Sequence, residues 1–372
     1  MKQGWEYKKL EDCTQILDSQ RKPVTKKDRT GGIYPYYGAT GIQDYVDKYI
    51  FDGRYALVGE DGAKWSAFEQ SAFIIEGKSW VNNHAHVLKP HDFLVDTFLI
   101  YFLNYSDLDS YISGAIVRKL TQASLRNIEI PLPPKSTQLA IVSELDKINE
   151  LIRLKKEQLK DFDNLAQSIF YEMFGDPVEN EMGWEVKKLG EVCSVGTGST
   201  PNRKNKDFYE NGIYPWVKST EVCNLPIYSV EEYITQEALD KTNCTLYPQN
   251  TILMAMYGQG KTRGQIGLLK IEACTNQAVA AIVPTKEVVD ENYICLHLML
   301  MYEHIRNMAR GGNQANLNLS IVKSIQIILP PLPLQHLFAH RIEQIEHQKA
   351  EVQKSIADLE TLLASRMQYW FE

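Results

Sequence analysis

An internal duplication constrains the fold of this chain more than any other feature. The segment GWEYKKLEDC at residues 4–13 returns as GWEVKKLGEVC at residues 183–193. In the same order, GGIYPYYGAT at 31–40 returns as NGIYPWVKST at 211–220. At 372 residues the chain also exceeds what one hydrophobic core usually serves. The repeat therefore predicts two related folding units in tandem.

Each copy ends in a proline-rich element followed by a long helical pattern. LRNIEIPLPPKSTQ at 125–138 matches VKSIQIILPPLPLQ at 322–335, and the prolines mark the point where a helix begins. Gly175 and the Asp176-Pro177 pair stop the first helical pattern. The predicted segments are a first domain at 1–134, a first spacer helix at 135–176, a second domain at 177–331 and a second spacer helix at 332–372.

The larger part of each copy is rich in short strand-like runs. Examples are YALVG, SAFII and HAHVL in the first copy, and TILMAMY and QAVAAIVP in the second. A helical patch precedes the end of each part. Apolar runs of this length, separated by Gly, Asn and Pro, predict a mixed α+β domain with a twisted and mainly antiparallel sheet.

The smaller part of each copy carries apolar residues at alternating spacings of four and three. This pattern predicts a coiled-coil stripe of about five heptads, although an ordinary core helix gives a similar stripe. The first stripe comprises Ile141, Leu145, Ile148, Ile152, Leu159, Phe162, Ala166 and Ile169, with a polar break at Lys155. The second comprises Phe338, Ile342, Ile345, Val352, Ile356, Leu359, Leu363 and Arg366, with a break at Lys349.

Because the two stripes share one register, we expect the long helices to pair antiparallel and to give a pseudo-twofold molecule. About 36 helical residues would span roughly 54 Å.

A glycine-rich turn, YGQGKTRG at 257–264, raises the question of a nucleotide-binding P-loop. A P-loop needs a glycine at position 255, where this chain has Ala255, and it must open onto a helix. The following residues are glycine-rich instead. We therefore expect a β-hairpin that carries Lys261 and Arg263, and we align it with VGEDGAKW at 58–65 of the first copy.

The composition is that of an ordinary globular chain, with 44% apolar and 23% charged residues and a net charge of -7. We find no signal peptide and no apolar run long enough for a membrane helix, so we expect a cytoplasmic protein without a membrane partner. The six cysteines are scattered without a CxxC pair, which favours reduced thiols. Basic residues cluster locally in spite of the acidic total, and local clusters are what nucleic-acid binding requires.

Two related surfaces on long helices suit a repetitive linear ligand, and duplex DNA presents the same groove after about 34 Å. Lys and Arg suit phosphates and guanine, and Asn and Gln suit adenine. Each candidate alone could be a turn residue or a solvated charge, but they occur at matching places in both copies. In the first copy they are Lys26, Lys27, Arg29, Tyr34, Tyr36, Thr40, Lys64, Asn82, Asn83, His84, Arg118, Lys119 and Gln122. In the second they are Arg203, Lys204, Lys206, Tyr214, Trp216, Lys218, Thr220, Gln259, Lys261, Arg263, Asn276, Gln277, Asn313, Gln314 and Asn316.

These motifs together resemble a known family. IPLPPKSTQLAIVSEL and ILPPLPLQHLFAHRI open the two helices, IYPYYGATG lies in the first domain, and VGTGSTPNRKN with IYPWVKSTE lies in the second. In these features the chain resembles the specificity subunit of a type I restriction-modification enzyme. The resemblance implies two target-recognition domains, each contacting half of a bipartite asymmetric DNA site.

The resemblance also implies partners. The helices would dock two methyltransferase subunits, which in turn recruit motor-nuclease subunits, and S-adenosylmethionine, ATP and Mg²⁺ would bind to those partners and not to this chain. Two departures stand out. The acidic residue that the family often has before the helix glutamine is missing, and Gln20-Arg21-Lys22-Pro23 replaces the Gly-Thr-Gly-Ser-Thr-Pro turn of the second copy.

The sequence offers little evidence of catalysis or of a metal site. His84 with His86, and His336 with His340, lack the further ligands that would close a metal site. Gly196-Thr197-Gly198 is a weak dinucleotide match, since Pro201 follows instead of a helix. We therefore expect a non-catalytic chain. The alternatives are a coiled-coil adaptor that binds proteins through its duplicated domains, and a nucleotide-driven enzyme built on residues 258–262.

Overall fold

The computed structural model describes residues 4–114, 118–224, 226–258, 260–309 and 316–372. The chain forms two compact units. The first consists of Met1–Glu157 together with Gln353–Glu372, and the second consists of Gln158–Val352.

The first unit is a mixed α/β unit built on one large sheet. Its elements before the first long helix are β1 (Glu6–Lys9), α1 (Leu10–Cys13), β2 (Thr14–Ile16), β3 (Gly31–Gly38), β4 (Gly41–Val46), β5 (Phe51–Gly59), β6 (Ala72–Val81), β7 (Ala85–Pro90), α2 (Asp96–Tyr105), β8 (Ile112–Ser113), β9 (Lys119–Leu120), α3 (Gln122–Arg126) and β10 (Glu129–Leu132). Six strands form the sheet, in the order β2-β7-β5-β6-β3-β4. All of its neighbouring pairs are antiparallel except β3 with β6.

Both faces of this sheet are covered. Along β5, Ala56 and Val58 belong to the core that contains helix α2, whereas Leu57 belongs to a second core on the opposite face. Successive side chains of a strand point to opposite faces, so a strand covered on both sides is apolar throughout. This is why YALVG is an uninterrupted apolar run.

The second unit repeats this construction with a divided sheet. Its elements are β11 (Glu185–Lys188), α5 (Leu189–Val192), β12 (Cys193–Thr197), β13 (Tyr214–Val217), β14 (Pro226–Ile227), β15 (Tyr233–Ile234), α6 (Gln236–Lys241), β16 (Ile252–Ala255), β17 (Ile266–Leu269), β18 (Cys274–Thr275), β19 (Val279–Pro284), α7 (Glu291–Leu300), α8 (Tyr302–Met308), α9 (Leu319–Ser324) and β20 (Gln326–Leu329). Five strands are ordered β12-β19-β16-β17-β14, and three are ordered β15-β13-β18. The predicted mixed and mainly antiparallel sheet is confirmed in both units.

The proline-rich element has the same structural role in both units. Just before it, β10 pairs with β1 in the first unit and β20 pairs with β11 in the second, both antiparallel. Gln138 and Gln335, at the start of the long helices, are fully buried. The Gln138 side chain accepts from the Val95 amide at 2.8 Å and donates to the Pro133 carbonyl at 2.9 Å. These glutamines fix the start of each helix, and no acidic residue is needed there.

Gln335 repeats the contacts of Gln138 in the second unit. It accepts from the Asp290 amide at 3.0 Å and donates to the Pro330 carbonyl at 2.8 Å.

The two long helices are α4 (Lys135–Phe174) and α10 (Leu332–Phe371), each of 40 residues. Every residue of the two predicted stripes is buried or half-buried. Gly175, with φ of 76°, follows the end of α4, as the sequence predicts. Lys349, the polar break in the second stripe, forms ion pairs with Asp163 at 2.9 Å and with Glu346 at 2.8 Å.

In each unit, a segment of α4 and a segment of α10 lie side by side and run antiparallel. In the first unit, Glu144 of α4 pairs with Arg366 of α10, and Lys156 pairs with Glu360 at 2.8 Å. In the second unit, later residues of α4 meet earlier residues of α10, as in the Asp163–Lys349 pair. The predicted antiparallel pairing is therefore confirmed within each unit.

Candidate nucleic-acid interface

Three backbone hydrogen bonds gather the loops at one end of the first unit's sheet. The Glu60 amide donates to the His84 carbonyl at 2.8 Å, the Leu120 amide donates to the Glu60 carbonyl at 2.8 Å, and the Asn82 amide donates to the Tyr37 carbonyl at 3.0 Å. We call this set of bonds the loop frame. It holds together the turn after β3, the loop after β5, the turn after β6 and strand β9.

The second unit has the same loop frame. The Met256 amide donates to the Ala278 carbonyl at 2.8 Å, the Leu317 amide donates to the Met256 carbonyl at 3.1 Å, and the Asn276 amide donates to the Val217 carbonyl at 3.0 Å. In both units the asparagine side chain then accepts from the amide two residues later, at 2.8 Å for Asn82 and 3.1 Å for Asn276. These loops carry candidate side chains of both copies, Lys64, Asn82, Asn83 and His84 in the first unit and Lys261, Arg263, Asn276 and Gln277 in the second.

The loop frame corrects the predicted alignment of the two glycine turns. In the loop frame, Glu60 of the first unit is equivalent to Met256 of the second, whereas the sequence comparison aligned Glu60 with Gln259. The shift is three residues. The loops after β5 and β16 differ in length and sequence, so a pairing by glycine positions misaligned them, whereas the hydrogen bonds of the flanking strands define the correct register.

The glycine turn of the second unit is a hairpin, as the sequence predicts. Strand β16 pairs antiparallel with β17, with Met254 opposite Ile266. The loop between them, residues 256–265, leads directly into β17 and not into a helix. It therefore lacks the helix N-terminus on which a P-loop depends. Gln259 lies outside the described residues.

The first unit sorts its candidates into exposed and internal side chains. Tyr36 is 1% exposed and Asn82 is 2% exposed. Tyr36 packs under the Arg29 guanidinium, 4.1 Å from the ring centre, and the Asn82 amide donates to Gln43 at 3.2 Å. These contacts hold the Tyr36 and Asn82 side chains inside the unit. The exposed candidates are Lys26, Lys27, Thr40, Lys64, Asn83, His84 and Arg118, and Tyr34 is half-buried.

Several of these side chains already have partners. His84 bonds to Asp61, Lys64 pairs with Glu69 at 3.2 Å, and Arg118 pairs with Asp109 at 2.6 Å. All three pairs involve exposed or partly exposed groups, so solvent or a phosphate can replace the acidic partner at little cost.

Two further candidates belong to what we call the buried ion network, formed by Asp18, Arg21, Glu60, His86, Lys119 and Gln122. Lys119 pairs with Glu60 at 2.7 Å, and the Gln122 side chain donates to Asp18 at 2.9 Å. Arg21 lies 2.5 Å from Glu60 and 3.2 Å from Asp18. Lys119 and Gln122 thus each have an acidic partner within the unit, and the Lys119 side chain is 40% exposed.

His86 completes this network at the centre of the unit. Its ring is fully buried, with Nδ1 2.6 Å from Asp18 and Nε2 2.8 Å from the Leu120 carbonyl. Asp18, Glu60 and His86 lie close enough to share a metal ion. The guanidinium of Arg21 and the ammonium of Lys119 already neutralise both carboxylates, so the group is better suited to stability than to holding a cation.

The network lowers the pKa of both carboxyl groups. Burial alone would raise the pKa of Asp18, but the hydrogen bond and charge of His86, with bonds from Gln122 and the Val87 amide, lower it overall. Burial also opposes ionisation of Glu60, yet Lys119, Arg21 and His86 together lower its pKa. Both groups therefore stabilise the folded state at neutral pH, and this contribution is lost as the pH falls below about 4.

We expect the stability advantage of the wild type over the Asp18→Asn/Glu60→Gln double variant to shrink as the pH falls from 7 to 3. The wild-type carboxylates must take up protons on unfolding in this range, and the variant has none to titrate at these positions. Thermal unfolding at a series of pH values measures the difference. An advantage that stays constant down to pH 3 would show that the two carboxyl groups are not depressed in the folded state.

Among its described residues, the second unit has one buried candidate, Trp216, and it has paired basic candidates such as the exposed Arg203 and the half-buried Lys218. Trp216 is 1% exposed, and its indole donates to the Ser199 carbonyl at 3.0 Å. Arg203 lies over the Trp216 ring at 4.8 Å and pairs with Glu232. Lys218 pairs with Glu231 at 2.7 Å and with Glu232 at 3.0 Å. The acidic groups of Glu231 and Glu232 thus offset the charges of Arg203 and Lys218.

The other described candidates of the second unit are exposed or half-buried. Lys204, Lys206, Thr220, Lys261, Gln277 and Asn316 are exposed, and Tyr214, Arg263 and Asn276 are half-buried. Among described residues, the ammonium groups of Lys204 and Lys261 make no ion pair. Asn316 precedes Leu317, which bonds to Met256, so it lies beside the loop that carries Lys261. Asn313 and Gln314 fall outside the described residues.

The structure adds residues that the sequence did not single out. Thr200 bonds to the Gln277 side chain, and a side chain on Gly198 would meet the Thr275 carbonyl at 1.8 Å. Gly198 therefore allows the Gly-Thr-Gly-Ser-Thr-Pro turn to lie against the Asn276-Gln277 turn. Tyr302 and Arg306 of α8 contact the loop of Lys261. In the sequence, the only sign that Tyr302 and Arg306 act together is their spacing of four residues within a helical pattern.

Within the described residues, no helix is both long enough and apolar enough to cross a membrane.

Comparison with known proteins agrees with the duplication. The model of the family described as "Type I restriction modification DNA specificity domain" matches residues 2–161 and again residues 181–361. Over 351 residues the chain is 29% identical to a putative type I restriction enzyme specificity subunit of Haemophilus influenzae, covering 92% of this chain and 87% of that protein. It is 21% identical to the MjaIX specificity subunit of Methanocaldococcus jannaschii, covering 96% and 90% of the two chains.

A solved structure shares the fold. The crystal structure of the type I restriction-modification S subunit from M. genitalium superposes with a TM-score of 0.61 at 14% identity, covering 99% of this chain and 96% of that one. The family match spans both copies of the repeat and leaves the protein-binding adaptor without support. The chain belongs to the family of type I restriction-modification DNA specificity subunits.

Proposed function

We propose that this chain selects the DNA target of a type I restriction-modification complex by contacting a bipartite, asymmetric site. Residues 1–134 form one target-recognition domain and residues 177–331 form the other, and each contacts one half of the site. The observation that carries the proposal is the loop frame, which occurs in both units and presents exposed basic and amide side chains at the same end of each sheet.

The proposed DNA contacts are drawn from the exposed and half-buried candidates of both units. In the first unit they are Lys26, Lys27, Thr40, Lys64, Asn83, His84 and Arg118. In the second they are Lys204, Lys206, Thr220, Lys261, Arg263, Asn276, Gln277 and Asn316. The two units differ at these positions on a common backbone arrangement, which suits two half-sites of different sequence.

The helices would dock two methyltransferase subunits, and these would recruit the motor-nuclease subunits. In this proposal S-adenosylmethionine, ATP and Mg²⁺ bind to the partners, and the present chain performs no catalysis. The net charge of -7 supports a need for partners, because an acidic chain gains little non-specific attraction to DNA. As a DNA-binding subunit it would act in the cytoplasm.

Mapping of methylated adenines in the native host, with and without this gene, tests the proposal. We expect a split motif, two short specified blocks around a fixed gap, to be methylated only when the gene is present. A methylation pattern that does not change in a host with an active partner methyltransferase would refute the proposal.

We expect Lys261→Ala to weaken binding of the assembled methyltransferase complex to its target by about 1–3 kcal/mol if the ammonium contacts a base. If it contacts a phosphate, the dependence of log K on log salt should instead fall by about 0.9 for all sequences. Fluorescence anisotropy over a series of salt concentrations distinguishes the two cases. Lys286→Ala serves as the control, because this exposed lysine follows the other end of β19 from the loop frame. If Lys261→Ala binds with wild-type affinity and wild-type salt dependence, the Lys261 hairpin does not contact the DNA.

A further inference from the structure

The loop that carries Lys261 is fastened to helix α8 by two side chains. The Arg306 guanidinium donates to the Gly260 carbonyl at 2.9 Å and to the Arg263 carbonyl at 3.1 Å. It also donates to the Tyr302 hydroxyl at 2.6 Å, and this hydroxyl donates to the Lys261 carbonyl at 2.5 Å. The backbone is thus held at Lys261 itself and on either side of it.

The glycines of the loop allow this close contact. Gly264, with φ of 86°, lies so near helix α8 that a side chain there would meet the Arg306 Cγ at 3.1 Å. Gly258, with φ of 143°, packs against Thr262, and a side chain there would meet the Thr262 Cβ at 2.7 Å. Gly264 therefore lets the loop approach Arg306, and Gly258 lets it pack against Thr262 of the same loop.

The first unit holds its corresponding loop by a different device. Trp65 is 3% exposed, its indole donates to the Gly59 carbonyl at 3.1 Å, and its carbonyl accepts from the Leu108 amide at 2.9 Å. In the first unit the loop is held by the buried Trp65 side chain, and in the second it is held by hydrogen bonds from Arg306 and Tyr302 of helix α8. The loop after β5 in the first unit and the loop after β16 in the second are thus both restrained by side-chain contacts.

We propose that Arg306 and Tyr302 are positioning residues for DNA recognition by the second unit. They fix the loop conformation in which the Lys261 and Arg263 side chains meet one half of the target, without contacting the DNA themselves. This inference rests on the proposed function and adds two specificity-determining residues to it.

The physical basis is preorganisation. Two bonds from Arg306 and one from Tyr302 restrain the loop backbone at Gly260, Lys261 and Arg263, so the cost of ordering these residues on binding is reduced. Without them, Lys261 and Arg263 still carry their charges and can still reach phosphates. Contacts to base edges require fixed geometry, and their loss reduces discrimination between sequences more than it reduces general affinity.

The test uses the full chain assembled with its methyltransferase subunits, acting on a pool of DNA duplexes of randomised sequence. Sequencing of the methylated duplexes gives the split motif for the wild type, for Arg306→Gln and for Tyr302→Phe. We expect Arg306→Gln to lose about tenfold to a hundredfold of discrimination in one half of the motif, the loss expected when a base contact fails. The other half should stay unchanged.

Tyr302→Phe removes one hydroxyl and keeps the ring, so it should fold as the wild type does and show a smaller loss in the same half. The control is Asn307→Ala, an exposed residue of the same helix whose side chain makes no hydrogen bond with the described residues of the loop. Binding of the wild-type motif at several salt concentrations separates positioning from direct contact. Arg306→Gln should keep the wild-type salt dependence, because a positioning residue neutralises no phosphate.

Three results would overturn the inference. One is an unchanged motif in both Arg306→Gln and Tyr302→Phe. Another is a drop of about 0.9 in the salt dependence of Arg306→Gln with equal loss for all sequences, since this would make Arg306 a phosphate contact. The third is the absence of any split motif with the wild type, which would refute the proposed function and this inference together. Only the first two leave the proposed function in place.

Discussion

Asp18→Ala is expected to destabilise the first unit by about 3–5 kcal/mol, the usual cost of removing one partner from a buried ion pair. The Asp18 side chain is 4% exposed and lies 3.2 Å from the Arg21 guanidinium. It accepts from His86 at 2.6 Å, from Gln122 at 2.9 Å and from the Val87 amide at 3.0 Å. Alanine leaves these donors buried without an acceptor, and each such group carries a desolvation penalty.

Hydrogen exchange of the full chain measures this effect unit by unit. Amides of β7, which carries His86, should exchange faster in Asp18→Ala, while amides of β19 in the second unit should keep their wild-type rates. Thr197→Ala is the matched control, since Thr197 lies at the position of Asp18 in the duplicated sequence and makes one side-chain bond, to the Val279 carbonyl at 2.7 Å. It should cost about 1 kcal/mol. Equal costs for the two variants would show that the buried ion network adds nothing beyond a single hydrogen bond.

Phe174→Ala is expected to destabilise the second unit by about 3–5 kcal/mol, because it removes a fully buried ring from a packed core. Phe174 lies near the end of α4, with its ring centre 4.9 Å from that of Tyr293 and 5.4 Å from that of Phe338. These neighbours come from α7 and from the start of α10. The loss of this ring opens a cavity among residues that rigid helices hold in place.

The repeat supplies a matched variant for this prediction. Phe371, 197 residues after Phe174, lies near the end of α10 with its ring centre 5.5 Å from both Phe98 and Tyr105 of the first unit. It is half-buried, so Phe371→Ala should cost less. Tyr171→Ala, at a site 42% exposed on α4, should change stability by about 0.5 kcal/mol or less. Chemical denaturation monitored by hydrogen exchange measures the stability of all three variants. A Phe174→Ala cost no larger than that of Tyr171→Ala would mean that the helix end is not part of the core.

Much of the architecture follows from the sequence alone. The duplication is visible by direct comparison of the two copies, and the apolar strands, the glycine hairpin and the helix stripes depend on local patterns that arise from backbone geometry. The family resemblance rested on the proline-rich element and on the glycine turns, which are also local. Gln138 and Gln335 could be located in this way, although their burial could not.

Only the tertiary structure decided which of the candidate side chains are available to a ligand. Lys119 and Gln122 look like Lys261 and Asn316 in sequence, yet the first two are half-buried and bonded to Glu60 and Asp18, whereas the last two are exposed. The sequence also aligned Glu60 with Gln259, whereas the loop frame aligns it with Met256. In each case the deciding partner is distant along the chain. The free energy of a buried charge depends on those partners, and no local pattern records them.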